Sequence, residues 1–316
     1  MERELKASVA DLHRMSPHIG LRRSLPVIPV LIFLNGWAMT TTSPVAFLAI
    51  GLLTGIIWAS FAVLTHDALH RTLTGITWYD AVFPRLIAYP TLWFHGLYSE
   101  LHSLHHKMNG QDLDDPERVQ RTETEYRNAS TIGRWYVRHQ WWVNLFVLGG
   151  FGMIFGHLVK GWRLRHRFPR IRRQIAIDFA GITVMSALLY GWAGAYGLAG
   201  KAFLLFLLIE RSGGAVHQLR SHILHYGLWQ THGSPLITQI LTSRNLRTNW
   251  LTSRYFNHLN YHSVHHAFPK IPFYALREAH GRLIRICARG GVNPAQDESY
   301  FKTGLRCALN PVLIPS

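Results

Sequence analysis

Long apolar segments alternate with polar, basic segments along the chain. The first apolar segment runs from Leu25 to Met39, and the second runs from Val45 to Leu64 after an uncharged link. A helix needs about 20 apolar residues to cross the hydrocarbon of a bilayer, so the second segment is long enough and the first qualifies with its threonine flank included. We predict that the two form a helical hairpin that returns the chain to the side it left.

A second hairpin is predicted further along. Its arms are Ile175 to Trp192, and Phe203 to Ile209 extended through Ala215. The segment from Trp141 to Leu158 is also apolar, but arginines and lysines flank it on both sides, which favours a re-entrant or surface-lying helix. The sequence therefore predicts an all-α integral membrane protein, with about four transmembrane helices in two hairpins and a cytoplasmic helical cap.

The polar ends of the chain complete this organisation. Residues 1–24 are basic and do not resemble a cleaved signal peptide. We expect three parts: a basic cytoplasmic N-terminal segment (1–24), a membrane domain (25–285) and a C-terminal tail (286–316). Both termini are predicted to be cytoplasmic, because the region from His217 onward is polar and basic as well.

Charge and cysteine content narrow the possible functions. The chain has 33 Lys and Arg against 17 Asp and Glu, a net charge of +16. In a membrane protein such an excess holds cytoplasmic segments inside and against anionic lipid, so we expect no nucleic-acid partner. Docking of an acidic protein is compatible with the same charge. Cys287 and Cys307 alone cannot build a disulfide framework, a thiolate zinc site or an iron–sulfur cluster.

Histidines supply the candidate chemistry. The chain contains 20 of them, and eight fall into three short clusters, here called the histidine boxes. A random chain of this composition would show His-x-x-His-His only roughly 0.08 times, yet the motif occurs twice. The spacing i, i+3, i+4 places all three imidazoles on one face of a helix. Box one is His66 and His70, box two is His102, His105 and His106, and box three is His262, His265 and His266.

Imidazole ligands without thiolate suit iron, copper, zinc or nickel. Box one alone resembles a zinc helix of the His-Glu-x-x-His kind, but Asp67 replaces the glutamate. Eight histidines are also twice what a single zinc ion can use. Box one directly follows the span that ends at Leu64, and four crossings leave all three boxes on one side, so we expect a site for two metals at one membrane face.

The order and spacing of the boxes resemble those of the membrane fatty acid desaturase and hydroxylase superfamily. The likeness continues outside the histidines, in Asn109 and Asp114 to Pro116 after box two, and in Asn260 to Leu276 with His280 around box three. It covers roughly residues 45–285. The resemblance implies a non-haem di-iron centre that uses O2 as co-substrate, with no catalytic residue beyond the metal ligands.

The resemblance also implies a ninth ligand between the last span and box three. The family often places it in an Arg-x-x-x-Glu-His setting, with which Arg220 to His225 aligns, although Leu224 stands in place of Glu. His225 is the favoured ninth ligand, and His222 and His217 are rivals. The carboxylates of Asp67, Glu100 and Asp115 could orient ligand rings. Each of them could equally cap a helix or pair with an arginine.

Within this superfamily, the three residues between His66 and His70, and the His rather than Gln at the start of box three, resemble a fatty acyl desaturase that acts on lipid-linked chains. The alternative enzymes are a carotenoid hydroxylase or ketolase, whose first box His66 to His70 also resembles, and a lipid or alkane hydroxylase. Outside enzymes, a metal-dependent membrane receptor would explain the same ligands. Desaturation and hydroxylation start from the same oxidant, and the sequence does not separate them.

Either oxidation consumes two electrons from outside the chain. The sequence has no Rossmann fingerprint, no cysteine cluster and no His-Pro-Gly-Gly haem motif. We therefore expect a separate electron donor, a ferredoxin or a small cytochrome. The basic run from Lys160 to Arg173 is the expected docking face.

Overall fold

The computed structural model describes residues 1–315, and their regular structure is almost entirely helical. A π-helix covers Val143–Leu148, short 3₁₀ helices cover Ala10–His13, Tyr89–Thr91 and Phe273–Ala275, and the two-residue strands β1 (Asn245–Leu246) and β2 (Gln296–Asp297) pair in parallel. The α-helices are α1 (Glu2–Ser8), α2 (Pro17–Ser24), α3 (Val27–Thr40), α4 (Pro44–Leu69), α5 (Thr77–Ala88), α6 (His95–Met108), α7 (Glu123–Arg127), α8 (Thr131–Trp142), α9 (Gly149–Leu164), α10 (Pro169–Ala195), α11 (Ala199–His225), α12 (Pro235–Leu241), α13 (Trp250–Tyr255), α14 (His262–Ala267), α15 (Leu276–Arg289) and α16 (Tyr300–Leu309).

The chain divides into two compact units. One unit, here called the span unit, contains residues 16–101 and 144–218. The other, here called the box unit because it contains boxes two and three, consists of residues 1–15, 102–143 and the chain from 219 onward. Helices α6 and α11 each begin in the span unit and end in the box unit.

Four helical segments of the described chain are long and apolar enough to cross a membrane. They are Pro17–Thr40, Pro44–Leu69, Thr131–Leu164 and Pro169–Ala195. Their number agrees with the prediction, but one of the four segments is not a predicted span. The region from Trp141 to Leu158, predicted as a re-entrant or surface-lying helix, lies within the segment Thr131–Leu164, which meets the criterion, whereas α11 does not. The arrangement in two hairpins stays a prediction.

Helices of the span unit approach one another closely at positions occupied by glycine. Helix α3 packs against α4, and α4 packs against α5. A Cβ atom at Gly55 of α4 would lie 2.0 Å from the Ser212 hydroxyl and 2.6 Å from the Ile209 carbonyl oxygen of α11. Only glycine fits this contact, which is the usual way in which apolar helices gain dispersion contacts within a membrane. The sequence at Gly55 therefore sets the α4–α11 distance.

Helix α11 differs from a simple apolar span because it carries an acid and a base side by side. Glu210 is buried and accepts a hydrogen bond from the Phe151 N–H, at the first turn of α9. Arg211 donates to the carbonyl oxygens of Val147 (2.6 Å) and Leu148 (2.7 Å), at the end of the π-helix. Gly149, with φ +52°, interrupts the helix here, so the last carbonyl groups of the π-helix and the first N–H groups of α9 lack partners within their own helices. Glu210 and Arg211 supply those partners, which explains their place in an otherwise apolar stretch.

The box unit holds both ends of the described chain. Helix α1 packs against α15, and Arg282 of α15 forms an ion pair with Asp11. At the other end β2 pairs with β1, and α16 packs against α8 with Tyr300 and Cys307 buried. Residues 1–15 of the predicted N-terminal part and residues of the predicted C-terminal tail thus contribute to the core of this unit.

Candidate metal centre

The two longer boxes lie on helices with the spacing that the sequence predicts. Box two occupies α6, and box three occupies α14, which consists of little else. Box one lies at the end of α4, where His66 is in the last turn and His70 is the C-cap residue. The imidazoles of His66 and His70 are neighbours within the span unit, with ring centroids 5.0 Å apart. The remaining box histidines belong to the box unit.

Helix α14 is short, and residues outside it fix its position. Asn245 of β1 accepts hydrogen bonds from the backbone N–H (3.1 Å) and the hydroxyl (2.9 Å) of Ser263, in the first turn of α14. The side chain of Asn260 donates to the Leu246 carbonyl oxygen (3.2 Å). A helix of six residues is unstable alone, so these side-chain bonds to β1 are needed to hold it.

Seven histidines of the box unit converge, although they come from three helices. Two groups of three each bring one ring nitrogen per residue within 4.8 Å of the others. His262 joins the second group, because its Nε2 atom is 2.9 Å from that of His225. The first group contains His102, His106 and His265, and the second contains His105, His225 and His266.

Carboxylates hold two of these rings from behind. The Nδ1 atom of His105 is 2.9 Å from both oxygens of Asp115, and the Nδ1 atom of His102 is 2.8 Å from an oxygen of Glu117. A carboxylate accepts but does not donate, so Nδ1 carries the proton in both rings. The Nε2 atoms of His105 and His102 are then left with a free lone pair, which is the state that a metal requires.

Neutral acceptors hold two further rings in the same way. The Nδ1 atom of His225 is 2.8 Å from the carbonyl oxygen of Thr242, and the Nδ1 atom of His266 is 2.9 Å from the side-chain oxygen of Gln239. Both rings therefore also turn an unprotonated Nε2 atom toward the cluster. The Nε2 atom of His266 is buried and has no hydrogen-bond partner within residues 1–315.

The Nε2 atoms of His105 and His225 face each other directly. They lie 3.2 Å apart, and both carry lone pairs because both Nδ1 atoms are protonated. Two lone pairs at this distance repel, unless a positive charge lies between or beside them. A bound cation removes the repulsion, so the ring geometry fits metal ligation.

Burial keeps the imidazoles neutral and thus ready to bind. It lowers the pKa of His225 well below the usual value, and the adjacent His105 lowers it further. Burial is also the main cause of the lowered pKa values of His262, His265 and His266. A donor set of neutral imidazoles suits iron, copper, zinc or nickel. The residues therefore fit a transition-metal centre.

The carboxylates named from the sequence have different surroundings. Asp115 contacts His105 as described, and Asp67 lies 3.5 Å from the Nδ1 atom of its neighbour His66, the limit for a hydrogen bond. The side chain of Glu100 has no hydrogen-bond or ion-pair partner in the described chain. Glu117 was not predicted from the sequence. Its position two residues after Asp115 could have suggested that it also contacts a box-two histidine.

The three candidates for the ninth ligand also lie in different places. His225 belongs to the second group of converging rings. His222 packs against Trp141, with ring centroids 5.1 Å apart. His217 lies in the span unit, where Trp58 (5.8 Å) and Trp93 (5.6 Å) flank its ring.

Comparison with known protein families identifies a match. Residues 42–296 match the family model whose description is fatty acid desaturase. The matched region contains all three boxes and His225, and it covers more than half of the chain. No curated protein matches the sequence.

Proposed function

The chain belongs to the fatty acid desaturase family, and on this premise we propose that it is an O2-dependent membrane desaturase of lipid-linked fatty acyl chains. The observation that carries the proposal is the convergence of seven imidazoles in the box unit, four of them held at Nδ1 by an acceptor. Rings oriented in this way are typical of metal ligands.

The proposed ligand set has nine members. Seven are the converging histidines of the box unit, and His66 and His70 complete the set. The motif order of the family supports the inclusion of box one. Two groups of imidazoles favour two metal ions, because a single ion uses about four nitrogen ligands.

Iron fits the proposed reaction better than zinc. Zinc has no redox change to offer, whereas two irons with O2 supply an oxidant strong enough to remove hydrogen from an unactivated alkyl chain. The task of the protein is to hold the ligands, to keep water out and to present one carbon of the chain. The box histidines are shielded from water, since His105 is only 1% exposed and His262, His265 and His266 are each 3% exposed.

The span unit offers an apolar environment for the acyl chain. Trp93 and Tyr98 are buried there, with ring centroids 5.7 Å apart, and Trp58 packs against Trp93. The burial of Trp93 and Tyr98 favours contact of their rings with the acyl chain. A flexible acyl chain suits such a surface better than a stiff carotenoid does.

We propose that the boxes and both termini face the cytoplasm, and that a separate ferredoxin or small cytochrome delivers electrons there. The sidedness follows from the basic segments, since lysine and arginine are retained on the cytoplasmic side. The donor is needed because the conversion of an alkane to an alkene with reduction of O2 to water consumes two external electrons.

Expression in a host with defined lipids tests the function. Lipid and pigment profiles are compared with and without oxygen, and His105→Ala serves as the inactive control. We expect an oxygen-dependent unsaturated acyl product that the variant does not form. Unchanged acyl profiles together with hydroxylated or ketolated carotenoids would favour the alternative enzyme. A new hydroxyacyl product would favour a lipid hydroxylase. No change in either pool, in cells containing the iron-loaded protein, would point to a receptor.

A further inference from the structure

Three polar residues outside the boxes form a connected network behind two of the converging histidines. Asn109 lies directly after α6, Gln239 lies on α12 and Thr242 is the C-cap residue of α12. All three are buried, with exposed fractions of 2%, 6% and 1%. Burying three polar side chains is costly unless each finds a partner, so a network of this kind indicates a specific role.

Asn109 is the centre of the network. Its side-chain amide donates to the Thr242 hydroxyl at 2.8 Å and to the Gln239 side-chain oxygen at 3.3 Å. Its backbone carbonyl accepts a hydrogen bond from the Gln239 side-chain amide at 3.0 Å. Two bonds between the same two residues fix the direction of the Gln239 amide, since its NH2 group must face the carbonyl of Asn109.

This direction determines what Gln239 presents to His266. With its NH2 group turned to Asn109, Gln239 presents its oxygen to the Nδ1 atom of His266 at 2.9 Å. An amide oxygen only accepts, so His266 must carry its proton on Nδ1. The buried Nε2 atom of His266 then has a lone pair and no partner within the described chain.

We propose that Gln239, oriented by Asn109, is a positioning residue that selects the Nδ1-protonated tautomer of His266 and so makes its Nε2 atom a metal ligand. The inference rests on the proposed metal centre. The effect of Gln239 is confined to His266, because the Nδ1 atom of the neighbouring ligand His225 donates to the backbone carbonyl oxygen of Thr242 instead. Loss of such a partner behind a ligand weakens metal binding by about 10- to 100-fold.

Two substitutions at Gln239 separate positioning from packing. Gln239→Met keeps the length of the side chain but removes the acceptor. Gln239→Glu keeps an oxygen toward His266 but removes the donor to Asn109 and adds a buried charge. Gln218→Met is the matched control, because Gln218 is another buried glutamine and donates to the Gly149 carbonyl oxygen in the span unit. Iron affinity of the purified full-length protein is measured by competition with a chelator, and the melting temperature is measured without metal.

We expect Gln239→Met to weaken the binding of one iron by about 10- to 100-fold, while Gln239→Glu and Gln218→Met bind within a few-fold of wild type. The metal-free melting temperatures of Gln239→Met and Gln218→Met should fall by similar amounts. Wild-type affinity in Gln239→Met overturns the proposal. Equal loss of iron in Gln239→Met and Gln239→Glu also overturns it, because the residue then acts through packing.

A second readout does not need the metal. In the metal-free protein with 15N-labelled histidine, the His266 signals are identified by their absence from His266→Ala. They should show a protonated Nδ1 atom in wild type and a mixture of tautomers in Gln239→Met. A mixture in wild type would contradict the positioning role. If wild type binds no iron but shows the single tautomer, the metal centre is wrong and the role of Gln239 in tautomer selection stands.

Discussion

Asp178 accepts a hydrogen bond of 2.8 Å from the backbone N–H of Leu97, in the first turn of α6. It also accepts one of 2.9 Å from the hydroxyl of Tyr89, and it is fully buried. Gly96 permits this approach, because a Cβ atom there would lie 2.4 Å from the Gln174 side-chain oxygen and 3.0 Å from an Asp178 oxygen. A carboxylate at a helix N-terminus satisfies backbone donors that the helix itself leaves unpaired. Asp178 therefore fixes the start of the helix that carries box two.

Replacing Asp178 tests this role. Asp178→Ala leaves two buried donors without an acceptor, and we expect a loss of about 2–4 kcal/mol in the free energy of unfolding. Asp178→Asn keeps one oxygen and should lose less. Thermal melting of the purified protein measures both, with the exposed Glu123→Ala as control. Equal stability of Asp178→Ala and the control would contradict the role of this carboxylate.

Glu117 and Glu100 make a matched pair, because both are glutamates near box two. Glu117 holds the Nδ1 atom of His102 at 2.8 Å, whereas Glu100 has no polar partner in the described chain. Glu117→Met removes the acceptor behind a ligand, so iron affinity should fall by about 10- to 100-fold. Glu100→Met should leave it unchanged. Chelator competition measures both, and a larger effect at Glu100 would reverse the assignment.

The parts of the site that can be predicted from the sequence are those set by local spacing. The i, i+3, i+4 spacing of box two is local, and it placed His102, His105 and His106 on one helix face without further information. The partner of His266 is different. Gln239 lies 27 positions before it, on another helix. Such tertiary contacts leave no periodic signal in the sequence. Glu117 is an intermediate case, since it is close in sequence but lies in a loop whose course the sequence does not determine.

The same limit applies to the fold. Hydropathy predicted α3, α4 and α10 nearly as they occur, because a continuous apolar run is a local property. It misjudged the region of Glu210 and Arg211, where a predicted span proved to carry a paired acid and base that bind the π-helix before α9. Their partners lie about 60 positions earlier, so only the folded chain shows why charges are tolerated there.

The ninth ligand is tested by three single substitutions. His225→Ala should reduce iron to fewer than two ions per chain, because its Nε2 atom faces those of His105 and His262. His222→Ala and His217→Ala should retain full iron content, since their rings pack against tryptophans. Elemental analysis of the purified variants decides among them. Iron loss confined to His222→Ala or His217→Ala would assign the ligand to that residue.

Acid should destabilise the metal-free protein through its buried histidines, and His280 isolates one contribution. Burial lowers the pKa of His280 to about 4. The unfolded chain takes up this proton near pH 6.5, whereas the folded chain resists until about pH 4. The free energy of unfolding therefore falls as pH drops from about 6.5 to about 4, and it is fully retained above that window. His280→Asn removes one titrating group, so its stability should fall less steeply than that of wild type. Parallel stability curves would contradict this assignment.

The electron donor is the last prediction, and ionic strength tests it. Between Lys160 and Arg173 the side chains of Arg163, Arg167, Arg170, Arg172 and Arg173 are exposed. If an acidic donor docks there, charge attraction speeds its encounter with the protein. Screening shortens from about 10 Å at 0.1 M salt to about 3 Å at 1 M, so reduction of the iron by a ferredoxin should slow at least about tenfold over this range.

Charge substitution locates the docking face. Arg163→Gln combined with Arg167→Gln should slow reduction at low salt and flatten the salt dependence. Arg277→Gln combined with Arg289→Gln removes two exposed arginines of α15 and should leave both unchanged. Reduction that is insensitive to salt would show that the arginines from 163 to 173 do not receive the donor. Their charge would then act on the membrane alone, where each basic residue near an anionic surface contributes about 1 kcal/mol.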